Sequence, residues 1–235
     1  MSRVSRTARV VLVRHGQASA ISSDYDQLSE LGREQSRLLA AHFERFGLVP
    51  DRVFVGPRKR HAQTHAEARL SSWKEPERID ELDEHHAVQL LVALGPALGA
   101  RQDELGELAR EAFGGDHASM RKALTRVFAA VIPAWAKGEL VHPDVEPFAA
   151  FRARIDRFVD RIRESEGTTI AFTSGGAISA VVAAVHGLST EQLLDVMWHL
   201  RNASITEIAV RDGRLSLMSM NATPHLGEAR LLTGV

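Results

Sequence analysis

The chain has 235 residues, 29 Lys+Arg against 30 Asp+Glu, and 44% hydrophobic residues. This is the composition of an ordinary water-soluble globular protein, long enough to bury about 70% of its unfolded surface. Near-neutral charge gives no electrostatic footprint for nucleic acid or a polybasic membrane anchor, and the absence of cysteine excludes disulfides and thiolate chemistry. The most apolar stretch, Ala177 to Val185, is far shorter than the roughly 20 residues of a membrane helix. Residues 1–8 carry Arg3 and Arg6 without a signal-peptide pattern and read as a flexible lead-in, in keeping with a cytoplasmic protein.

Val10 to Val13 reads as a buried strand that ends at Arg14-His15-Gly16. A helix follows from Leu28, with Ser29 to cap it, apolar positions at Leu31, Leu38, Leu39, Phe43 and Phe46, and Gly47 to end it. Arg52 to Val55 is a second strand, broken by Gly56-Pro57 and followed by a polar helix to about Leu70. Ala87 to Pro147 is Ala/Leu-rich, interrupted at Gly95-Pro96, Gly114-Gly115, Pro133 and Pro143, and has no strand-like run. Phe148, Phe151, Ile155, Phe158, Val159 and Ile162 mark another amphipathic helix. The strand Thr168 to Phe172 then runs into Thr173-Ser174-Gly175-Gly176 and a helix from Ala177. Ile205 to Val210 and Arg214 to Met220 pair as a hairpin around Asp212-Gly213.

Alternating strands and helices predict an α/β protein: a three-layer α/β/α sandwich with a mostly parallel central sheet, forming one domain over residues 1–235. Residues 87–147 are read as a helical insertion covering a site at the strand ends. There Arg14 supplies a guanidinium fork and His15 an imidazole, beside a glycine that allows close approach to the backbone. The basic cluster Arg58-Lys59-Arg60 opens the helix after the second strand, where helix N-termini already favour anions. Together these residue types suit phosphate, although each taken alone reads equally well as a surface ion pair or a half-buried histidine. His61 and His65 have i, i+4 spacing but lack the glutamate and third ligand of a metal site. Ser174 lacks the glycine two positions before it that a G-x-S-x-G elbow needs, and neither Walker A nor G-x-G-x-x-G loops occur.

Six phrases, in order, resemble those of the histidine phosphatase superfamily, the phosphoglycerate mutase-like family. R-H-G is met at Arg14-His15-Gly16, and L-[ST]-x-x-G-x-x-Q at Leu28 to Gln35. S-x-x-x-R-[AT]-x-Q-T is met at Arg60, Gln63 and Thr64 and loosely at Gly56; L-x-E is met at Leu82-Asp83-Glu84. Arg201 to Thr206 and Asn221 to Leu226 resemble the last core phrases.

The resemblance implies a metal-independent phosphatase without cofactor. In it, His15 is the nucleophile that becomes phosphohistidine, and Arg14 and Arg60 hold the phosphoryl oxygens. Glu84 is the carboxyl that protonates the leaving oxygen, with Glu81 its rival on register. Ser19 is either a pocket residue or a loop serine. Ser174 stands where S-H-G-G has its second histidine; with Gly175 it would still face the phosphate, but a hydroxyl supplies no positive charge. His225 and the pair His85-His86 are candidates to fill that gap or to form the rim. The expected ligand is a small phosphorylated molecule, with neither nucleic acid nor membrane as partner; a two-fold dimer is the commonest state for a soluble oligomer. The alternatives are a weak or inactive relative that binds a phosphorylated ligand or protein, and a mutase-type phosphotransferase.

Overall fold

In the computed structural model, residues 7–19, 26–99, 102–103, 106–107, 110 and 117–234 are described. Strand β1 (Thr7–Arg14) lies at the centre of the sheet. It starts three residues before the expected Val10: Thr7 and Ala8 belong to the ladder, paired with Arg211 and with Gly167 and Val210, rather than to a flexible lead-in. The rest of that lead-in, with Arg3 and Arg6, falls outside the described residues, as does Gly114-Gly115.

The remaining strands are β2 (Arg52–Val55), β3 (Glu77–Arg78), β4 (Gly167–Thr173), β5 (Ile205–Arg211) and β6 (Arg214–Ala222). They form one sheet of order β3-β2-β4-β1-β5-β6, with β3, β2, β4 and β1 parallel and β5 antiparallel to both neighbours. The expected hairpin is β5–β6, and its turn residues Asp212 and Gly213 have φ of 49° and 77°, the left-handed geometry a tight hairpin turn requires.

The helices are α1 (Glu30–Arg45), α2 (Lys59–Ala68), α3 (Ala87–Gly99), α4 (His117–Ala136), α5 (Phe148–Arg163), α6 (Gly175–His186) and α7 (Thr190–His199). Ser29 caps α1 as expected, accepting from the Gly32 amide. Phe46 does not join the core: it sits at the C-cap and is 69% exposed, because the buried stripe of α1 runs through Gly32, Gln35, Ser36, Leu39 and Phe43. Helix α6 starts at Gly175, two residues before the expected Ala177.

Strand alternation divides the core into two sides. Val11 and Val13 of β1, Val53 and Val55 of β2, and Ile170 and Phe172 of β4 pack with Leu39 and Phe43 of α1 and Ala68 of α2. On the opposite side Phe54 meets Phe158 of α5 edge to face, ring centroids 6.2 Å apart. A sheet buried on both faces explains why Val10 to Val13 is continuously apolar.

The chain forms two compact units, one of residues 1–84 with 154–235 and one of residues 85–153. The segment 87–147, marked by its composition, lies inside the second. That unit is helical among its described residues, with an aromatic cluster of Trp135, Phe148, Phe151 and the His85 ring. The Trp135 indole N–H donates to the Glu146 carbonyl at 3.0 Å.

Two glycines set the approach of the β1 exit to α1. A Cβ on Gly16 would lie 2.3 Å from the Gly32 carbonyl oxygen, and one on Gly32 2.1 Å from that of Gln17. Backbone stands on both sides, so neither contact can be relieved by a side-chain rotation. Gly16→Ala and Gly32→Ala are each expected to lower stability by about 2–3 kcal/mol, a fall in Tm of roughly 4–12 °C for a chain of this size. Thermal melts check this, and an unchanged Tm for either contradicts the close approach.

Candidate active site

All the groups described in this site come from the larger unit. The parallel register of β1 and β4 pairs Arg14 with Thr173, so the chain leaves both strands at one level with His15 beside Ser174. The His15 amide donates to the Thr173 carbonyl at 2.9 Å, and its own carbonyl accepts from the Ala203 amide at 3.1 Å and from Asn202 Nδ2 at 3.4 Å. The C-terminal phrase thus supports the backbone of His15. Ala203 adopts φ of 54° in doing so, an uncommon conformation for a residue with a Cβ.

Helix α2 brings in the second set. Thr64 Oγ1 accepts from the Gly16 amide at 3.1 Å and donates to the Arg60 carbonyl at 2.7 Å, while Gln63 Oε1 accepts from the Leu28 amide at 2.8 Å. Gln63 and Thr64 thereby dock α2 against the β1 exit, with Arg60 and His61 one turn earlier. Arg14, His15 and Arg60 are only 7%, 5% and 9% exposed. The Arg14 guanidinium donates to the Leu200 carbonyl and lies against the first residue of α6, where a Cβ on Gly175 would be 3.4 Å from Arg14 Nε.

His15 Nδ1 lies 2.7 Å from the Gly16 carbonyl oxygen. A carbonyl can only accept, so Nδ1 carries the proton and Nε2 keeps its lone pair. Burial, followed by the positive charges of Arg60 and Arg14, pushes the His15 pKa well below its ordinary value. The imidazole is therefore held neutral at pH 7, with the lone pair on Nε2.

The two candidate carboxylates separate clearly. Glu84 Oε2 accepts from the Gly176 amide in the first turn of α6, at 3.3 Å. Glu81 lies in a short 3-10 turn, and its backbone carbonyl is held by Arg154 at 3.1 Å. Of the other expected histidines, His225 has its ring 5.7 Å from that of His42, while His85 and His86 belong to the second unit, where His85 packs with Trp135 and Phe151. The half-buried Ser19 bonds through its amide to the Gln27 carbonyl at 2.7 Å. Arg58 is engaged by Asp83, with contacts of 2.5 and 3.2 Å.

Three features escaped the sequence reading. Asp26 accepts from the Lys59 amide at 2.8 Å and stands 3.5 Å from Arg60, so it caps α2 and partly offsets the charge of Arg60. Arg154 gathers the carbonyls of Asp80, Glu81 and Asp83 at 3.3, 3.1 and 2.8 Å, setting the path of the chain into Glu84. His61, considered only as half of a metal pair with His65, has its ring 5.8 Å from that of His15 and its Nε2 2.6 Å from Ser174 Oγ. His65 instead packs edge-on to Phe172 at 5.3 Å. Among the described residues no group of three or more His, Asp or Glu could hold a metal ion, and no helix is long and apolar enough to cross a membrane.

A family model of the histidine phosphatase superfamily (branch 1) matches residues 10–92 and 85–223. The chain belongs to this superfamily. Similar solved structures include the α-ribazole phosphatase of Shigella flexneri, with 20% identity, TM-score 0.63, and coverage of 97% of this chain and 98% of that one. Phosphoglycerate mutase from Bacillus anthracis has 16% identity and TM-score 0.62, covering 96% and 98%. Phosphoserine phosphatase from Entamoeba histolytica, solved with 3-phosphoglyceric acid, has 18% identity and TM-score 0.59, covering 93% and 99%. A comparison with curated proteins finds no match. At these identities the neighbours establish the α/β fold of the superfamily, which is the architecture expected from the alternating elements.

The buried histidines make stability depend on pH. His61 is lowered to about 3 by burial and Arg60, and His65 to about 4 by burial and Arg69. Below pH 6.5 the unfolded chain takes up protons on these rings that the folded protein refuses. Stability present above 6.5 is therefore lost as pH falls toward those values, at up to about 1.4 kcal/mol per pH unit for His61. Between pH 7 and 5.5, above the carboxylate range, Tm is expected to fall steadily; a flat or rising Tm would contradict neutral burial.

Proposed function

We propose that this protein is a metal-independent phosphatase that hydrolyses a small phosphomonoester through a phosphohistidine at His15. The observation that carries the reading is the His15 ring itself: Nδ1 bonded to the Gly16 carbonyl, Nε2 bearing a lone pair, and two guanidinium groups that lower its basicity. In the first step Nε2 attacks phosphorus, the bond to the leaving oxygen breaks, and Glu84 gives that oxygen a proton. In the second, water attacks phosphorus, its proton goes to Glu84, the P–N bond breaks, and inorganic phosphate leaves a neutral His15. Arg14, Arg60 and the amides at the start of α6, with Gly175, offset the charge on the equatorial oxygens.

Ser174 favours a second reading. It offers a hydroxyl where an imidazolium would add charge, and the loss of one such donor typically costs about 10²–10³ in rate. On that reading the protein binds a phosphorylated ligand with little turnover. A mutase would exchange phosphoryl groups on phosphoglycerate without net release of phosphate.

Phosphate release in EDTA from p-nitrophenyl phosphate and from an alkyl phosphate distinguishes these. The wild type is expected to turn over, and His15→Ala to lose about 10³-fold or more. Glu84→Gln is expected to slow the alkyl ester by about 10²–10⁴ and the nitrophenyl ester far less, because nitrophenolate leaves without a proton. Activity that survives His15→Ala would overturn the nucleophile assignment; binding of phosphate without release supports the second reading.

A further inference from the structure

His61 takes no step in the reaction just described, yet it is built into the same site. Its ring is fully buried beside His15, and Nε2 lies 2.6 Å from the hydroxyl of Ser174, itself fully buried. Space for the ring is provided by residue 56, where a Cβ would stand 2.4 Å from His61 Nδ1. Nδ1 makes no hydrogen bond among the described residues. An orphaned lone pair is tolerated better than an orphaned N–H, so the proton sits on Nε2 and is donated to Ser174 Oγ.

Ser174 occupies the N-cap of α6, and serine there ordinarily turns its oxygen onto the first-turn amides of the helix. It makes no such bond here. The oxygen instead accepts from His61 and, at 3.5 Å, from Arg60 Nη2. Two consequences follow. The amides of the first turn are not covered by the serine, and the hydroxyl proton is left for an acceptor other than the two groups that hold the oxygen.

We propose that His61 is a positioning residue for the phosphoryl group: acting through Ser174, it draws the hydroxyl off the start of α6 and presents it as a donor to a phosphoryl oxygen. This rests on the reading of the pocket as a phosphoryl site. It requires only that a phosphoryl-like anion binds, not that turnover is fast. A packing role alone would make His61 a filler behind Gly56, with effects on stability and none on anion affinity.

Binding of orthovanadate, a phosphoryl mimic, is measured by calorimetry on the wild type, His61→Ala, Ser174→Ala, the double variant and His61→Gln, with Tm recorded for each. Both single variants are expected to weaken vanadate binding about 10-fold or more and to lower kcat for the alkyl phosphate by up to about 10²-fold. The double variant should be no worse than Ser174→Ala, because one residue acts through the other. His61→Gln keeps an N–H at similar reach and should recover most of the affinity. His61→Ala binding vanadate like the wild type, losses that multiply in the double variant, or a wild type that does not bind vanadate would each overturn the proposal. If His61→Ala does not fold, His61→Gln and Ser174→Ala carry the comparison. Vanadate binding that follows the expected pattern without phosphate release keeps the proposal and overturns the phosphatase reading instead.

Discussion

A neutral imidazole buried within the field of two guanidinium groups is the arrangement on which this site rests. An imidazolium there would suffer desolvation and repulsion from Arg14 and Arg60 together, so His15 stays uncharged and its proton remains on the nitrogen facing the Gly16 carbonyl. Keeping the other nitrogen aimed at one point demands a fixed backbone. That is supplied by Thr173 on β4 and by the adjacent Asn202 and Ala203 just before β5, two parts of the chain far from His15 in sequence. The parallel pairing of β1 with β4 is therefore part of the chemistry as well as of the fold.

Positive charge is concentrated but not left bare. Asp26 stands beside Arg60, Asp83 holds Arg58, and the Glu84 carboxylate lies on the Gly176 amide. An arriving phosphoryl group would enter a pocket whose cations already have partners. Arg154, bound to three carbonyls before Glu84, shows how much backbone is organised to deliver one carboxylate.

Much of this was legible in the sequence because local rules and tertiary structure agree. Val10 to Val13 is apolar on both faces and proved buried on both; Ser29 was read as a cap and caps α1. Other elements left no usable pattern. Strand β3 is two exposed residues, and α7 follows so closely on α6 that its Ser189/Gln192 capping box went unread. Phe46 fits a helical period but falls where α1 has run out of core to cover. The histidines could not be placed by sequence distance: nothing in the spacing of His61 and His15 shows that their rings meet. A signal for His61 did exist. In the phrases the sequence was read against, position 61 is written as a small residue and position 174 as a histidine, so both residues are unexpected on that reading; in the structure their side chains touch.

The most direct test of the central claim is to trap the phosphorylated protein. Rapid quenching in base during turnover of an aryl phosphate, followed by 31P NMR of the denatured chain and peptide mapping, reports which atom carries the phosphoryl group. The account predicts phosphate on Nε2 of His15. Phosphate on Nδ1, on His61 or on any other residue would contradict it.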